Sequence, residues 1–166
     1  SEYDAPNEKG DILHDQAVFW GQRNIHYHQN LTAGENTANF KLARILYEQV
    51  NTAGRYCETA WLDLYIKKML TPGWHHDTYL EEYHRGFFTR YAQGKDTRKC
   101  GIKDEHIGGL ATVPALVAAL MGSEQNQKLD REKIRQTVKT HVTLTHRHGN
   151  VLRAADCLTR LLIDLS

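Results

Sequence analysis

Gly34-Glu35-Asn36-Thr37 places a glycine turn, a carboxylate, an amide and a hydroxyl directly before a run in which Ala38, Phe40, Leu42, Ala43, Ile45 and Leu46 are apolar. The run has a 3.6-residue period, so Thr37 to Asn51 reads as an amphipathic helix. Oxygen-bearing side chains at the mouth of a helix have two uses. Asn36 or Thr37 can cap the helix by accepting a backbone N–H. Glu35, Asn36 and Thr37 can also offer carboxylate, carbonyl and hydroxyl oxygens to a hard cation such as Mg²⁺. Capping does not exclude ligation, so both readings stand.

Working outward, the same periodicity recurs. Arg55 to Leu70 carries Trp61, Leu62, Leu64, Tyr65, Ile66 and Met69, and Pro72-Gly73 stops it. Thr78 to Gln93 carries the stripe Tyr79, Tyr83, Phe87 and Tyr91, which reads as core or interface. Ile107 to Met121 is almost wholly apolar after its first glycines and reads as a buried central helix. Asp130 is a natural N-cap for Arg131 to Thr145, and Asn150 to Leu165 is the last helix. Asp11 to Gly21 reads as a short helix, and Arg23 to Ala33 as a loop. Ser1 to Gly10 is a polar lead-in without a signal-peptide pattern. Short connections between long helices predict an all-α chain, with residues 1–166 forming one helical domain.

Composition narrows the function classes. The 166 residues carry 21 lysines and arginines against 20 aspartates and glutamates. That balance gives no electrostatic footprint for nucleic acid. No apolar run approaches the roughly 20 residues of a membrane span. Cys57, Cys100 and Cys157 are dispersed, which argues against a disulfide framework and for a reducing, cytoplasmic compartment.

Two further segments carry candidate chemistry. Gly108 and Gly109, before Pro114, can expose backbone N–H groups that suit a phosphate, or serve close helix packing. Thr145-His146 lies at a predicted helix end, where the imidazole can face a cleft or the solvent. The clusters His26-Tyr27-His28 and His75-His76-Asp77 lack the spacing of a zinc motif.

Taken in order, Glu35-Asn36-Thr37, then Gly108-Gly109 to Pro114, then Thr145-His146 resemble three segments of the ADP-ribosylglycohydrolase superfamily. The stretch from His28-Gln29-Asn30-Leu31 into Gly34-Glu35-Asn36-Thr37-Ala38-Asn39 is more similar to its J-type crystallin and selenoprotein J branch. The resemblance implies an orthogonal helical bundle of the ADP-ribosylglycohydrolase type. It also implies a two-ion Mg²⁺ site and an ADP-ribose or ADP-ribosylated substrate. The reaction would be metal-assisted hydrolysis of an N- or O-glycosidic linkage. On that basis Glu35 is the candidate catalytic group. Glu35, Asn36 and Thr37 are the candidate metal ligands, and Gly108, Gly109 and His146 the candidate substrate contacts. The alternative is a non-catalytic, crystallin-like structural or binding protein that keeps the fold.

The departures are specific. Glu-Asn stands where the family has Asp-Asp, which removes one negative charge. The family's second metal motif, Gly-Asp-x-Asp-Thr, is absent. The chain therefore reads as a bundle incomplete at both ends. Such a bundle is expected to expose the helix faces carrying Val117, Leu120 and Leu161 and to self-associate.

Overall fold

The structure is a computed structural model, and it describes residues 8–122 and 130–166. Among the described residues six α-helices dominate: α1 (Ala38–Ala53), α2 (Glu58–Met69), α3 (Glu82–Ala92), α4 (Val113–Gly122), α5 (Arg131–Thr143) and α6 (Gly149–Asp164). Short 3₁₀ turns lie at Glu8–Gly10, His14–Phe19, Thr97–Lys99 and Ile107–Leu110. Among the described residues there is no β-strand, only an isolated parallel bridge between Ile102 and His146.

Helix α4 is the axis of the packing, as its apolar sequence predicts. It lies against α1 and also touches α5 and α6, which pack on each other. Val113, Leu116, Val117, Ala119 and Leu120 are all buried there. The expected exposure of Val117 and Leu120 is therefore corrected: both face the core, while Leu161 is 54% exposed. Ile107, Phe40 and Leu165 are also exposed.

Several boundaries move, each for a local reason. The helix expected from Ile107 divides into a 3₁₀ turn and α4, with Pro114 in the first turn of α4. A proline is tolerated there because its missing N–H would have no helical partner. The helix expected from Thr78 begins only at Glu82. Thr78 is held instead as a loop, its N–H donating to the Tyr27 carbonyl at 3.1 Å and its hydroxyl to the His26 carbonyl at 3.0 Å. Tyr79 thereby leaves the aromatic stripe and stacks on Trp20, while Tyr83 and Phe87 stay in the core. The short helix expected within Asp11 to Gly21 is present in 3₁₀ form, over His14–Phe19. The Asp11 carboxylate caps it by accepting from the N–H groups of Leu13 and His14. Asp130 caps α5, accepting from Lys133 N–H at 2.7 Å.

Candidate functional site

Helix α1 begins in a buried network, and that network defines the site. Gly34 turns the chain with φ of +85°, a conformation that favours glycine. Thr37 is the N-cap of α1, but its hydroxyl accepts from Phe40 N–H only at a long 3.5 Å. The stronger cap comes from elsewhere. Asp77 is buried, and its Oδ2 accepts from Ala38 N–H at 2.8 Å while Oδ1 lies 2.9 Å from His28 Nδ1. The backbone N–H of Asp77 donates to His75 Nδ1 at 3.2 Å. His75 Nε2 must then carry the proton, which it donates to the Ile12 carbonyl at 2.7 Å. Burial lowers the His75 pKa, in keeping with a neutral ring.

Asn39, the second residue of α1, is the hub of a second set. Its amide nitrogen donates to Glu81 Oε2 at 2.8 Å. Its oxygen accepts from the Tyr83 hydroxyl at 2.9 Å and from His84 Nε2 at 3.1 Å. His84 Nδ1 is thus the acceptor for the Tyr65 hydroxyl at 2.7 Å. Desolvation pushes His84 well below its ordinary range and both tyrosines well above theirs. These groups are neutral, and the Tyr65, Tyr83 and His84 Nε2 protons each have an acceptor.

The expected glycines and histidine join this network. A Cβ on Gly108 would come within 2.7 Å of the Glu81 carboxylate, and one on Gly109 within 2.7 Å of the His146 ring. His146 is fully buried, not at the surface, and its ring centroid lies 4.3 Å from that of Tyr83. One tyrosine therefore connects the start of α1 to His146. His146 Nδ1 lies 2.9 Å from the Thr145 hydroxyl. Its Nε2 and Asp104 Oδ2 are both buried without a hydrogen-bond partner among the described residues, 4.0 Å apart. Burial lowers the His146 pKa to about 4.

The corner residues are placed differently. Asn36 is exposed. Glu35 Oε1 accepts from Lys41 Nζ at 2.6 Å and lies 2.8 Å from His76 Nδ1. Lys41 also donates to the Trp74 carbonyl at 3.0 Å, and the Glu35 and Lys41 side chains are only 14% and 17% exposed. The lysine contact holds the Glu35 carboxyl at about 2, against an ordinary 4.5, with burial opposing and His76 assisting. Above α1's N-terminus lies a cleft of about 290 Å³, bordered by Thr37, Asn39, Asp77, Glu81, His28 and His84. Glu35, Asn36 and His146 do not line it. Tyr27 and Tyr79 form its far wall and separate it from an aromatic recess of about 310 Å³ beside Trp20.

Asp77, Glu81, Asn39, His84 and Asp104 were not legible as site residues. Asp77 stood in the histidine cluster, and Asn39 closed the quoted corner motif. Nothing local marked Glu81, whose partner Asn39 is distant in sequence, or Asp104, which pairs with the nearby His106 but meets His146 only through the fold. The chain matches no protein-family model, no curated protein and no solved structure. Among the described residues, no three His, Cys, Asp or Glu side chains form a metal-binding group.

Two outcomes follow from this geometry. Gly109→Ala is expected to destabilise by about 1–3 kcal/mol, because the packed imidazole has nowhere to move. Gly108→Ala should cost less, since the tip of Glu81 can swing aside. Urea unfolding of the two variants checks the order. The second outcome concerns pH. His141 is held at about 3 by burial, between Tyr56 and Thr112 hydroxyls, and His146 at about 4. Below pH 6.5 the unfolded chain binds protons that these rings refuse. Their contribution to stability is complete above about pH 6.5 and falls as the pH drops toward 4 and then 3. Imidazole NMR signals of both should stay flat between pH 8 and 5, while the urea midpoint falls below about pH 6.

Proposed function

We propose that this chain is a non-catalytic relative of the ADP-ribosylglycohydrolases, a binding or structural protein on their type of helical scaffold. The order of the corner, glycine and histidine segments supports the relationship. So does their approach to one another through Asn39, Tyr83 and Glu81. The observation that carries the non-catalytic reading is the Lys41 ammonium, 2.6 Å from the one carboxylate of the corner.

A magnesium ion needs that same carboxylate. A dication about 4 Å from an ammonium is repelled by about 8 kcal/mol at an effective dielectric of about 20. Binding would first have to break a shielded ion pair. With Asn36 exposed and Thr37 engaged as the cap, the corner does not fit a two-ion site. The lysine neutralises the charge that a metal would otherwise hold.

Hydrolysis in a longer form of the protein is the second reading. Asp77 and Glu81 favour it, because they put two carboxylates on the cleft beside α1. Release of ADP-ribose from ADP-ribosylated peptide, measured with and without Mg²⁺, separates the two. The scaffold reading expects no release in either condition. Magnesium-dependent release that disappears in Glu35→Ala would establish the hydrolase.

A further inference from the structure

A second cleft, of about 530 Å³, lies between the start of α2, the Thr97–Lys99 turn and α5. It shares no lining residue with the cleft over α1. Three cationic side chains reach it from three separate parts of the chain: Arg55, Arg98 and Lys133. Its single carboxylate, Glu58, pairs with Arg98 at 3.9 Å. Among the described residues, Arg55 and Lys133 have no ion-pair partner. Thr140 lies on the same wall, beside Thr137, whose hydroxyl donates to the Lys133 carbonyl at 2.9 Å. This local excess contrasts with a whole-chain charge of +1. Like charges brought together this way repel one another, and an anion between them relieves that repulsion.

We propose that this cleft binds a small molecule carrying a phosphate or diphosphate group. Arginine forks and a lysine point charge are the side chains that hold phosphate oxygens, and Thr140 puts a hydroxyl beside them. The volume lies within the range of small-molecule sites and exceeds what a bare ion fills. Glu58 limits the choice: its carboxylate accepts hydroxyl groups and repels a second acid, so the rest of the ligand is neutral or hydroxylated.

Cys57 supplies a reporter, because it lines the cleft and is exposed. Cys157 is also exposed and Cys100 is buried, so a Cys157→Ser background isolates its reactivity. Calorimetry with inorganic pyrophosphate, at constant ionic strength set by chloride, is the test. Saturable binding is expected, with alkylation of Cys57 slowed several-fold at saturation. Arg55→Ala/Lys133→Ala should weaken binding by at least about tenfold, since two charge-assisted contacts are lost. Both positions are exposed, so the fold is expected to survive, and circular dichroism checks it. A phosphorylated sugar should bind more tightly than pyrophosphate if the hydroxylated remainder is recognised. Unchanged affinity in the double variant, or heat that tracks ionic strength alone, would overturn the proposal. Failure here leaves the reading of the α1 corner untouched, because Glu35 and Lys41 are not part of this cleft.

Discussion

Asp77→Ala is expected to destabilise the protein by about 2–4 kcal/mol and to loosen the first turn of α1. The residue is 3% exposed and its carboxylate caps the helix from 39 positions away in sequence, through Ala38 N–H. Alanine would leave that buried N–H without an acceptor, and the only remaining cap is the 3.5 Å contact of Thr37. The substitution also releases His28, which Asp77 holds against the loop. Hydrogen exchange should speed up first at Ala38 and its neighbours, ahead of the core helices. Asp77→Asn retains one acceptor and should cost less. Equal exchange rates in wild type and Asp77→Ala would mean that Thr37 alone caps α1.

Phe88→Ala is expected to be more damaging, at about 3–5 kcal/mol. Phe88 is fully buried on α3, with ring neighbours Tyr65, Phe87 and Tyr91 at 5.3, 5.3 and 6.0 Å. Tyr65 is also the hydroxyl donor to His84, so a cavity beside its ring would loosen the hydrogen-bonded chain running to Asn39 and Glu81. Phe88→Leu fills more of the space and should recover over half of the loss. The measurement is the urea midpoint at pH 7, with the slope unchanged if the transition stays two-state.

The helical character of the chain was legible because its strongest signals are periodic and local. The apolar run from Ile107 to Met121 reads as a buried central helix from composition alone, and the part from Val113 onward is one. The caps at Thr37 and Asp130 followed from side-chain type and position. What was not legible depends on contacts between distant residues. Thr78 reads as the start of a helix until the carbonyls of His26 and Tyr27 capture it. His146 reads as a helix-end group facing either a cleft or the solvent. The Ile102 bridge, with Gly109 packed on its ring, buries it. Glu35 reads as a candidate metal ligand because nothing in the local sequence ties Lys41, six residues further on, to its carboxylate. Only the fold turns that ammonium, with the Trp74 carbonyl, back onto the corner.

The lysine-for-metal account rests on that contact and can be tested without assuming any activity. Amide NMR spectra of the protein, titrated with Mn²⁺ as a paramagnetic stand-in for Mg²⁺, report any ion that comes within reach of the corner. The account predicts no selective broadening of residues 34–38 in the wild type, and an unchanged Lys41 ammonium signal. Saturable broadening confined to those amides, competed away by Mg²⁺ and abolished in Glu35→Gln, would contradict it. Such a result would make the corner a metal-binding site.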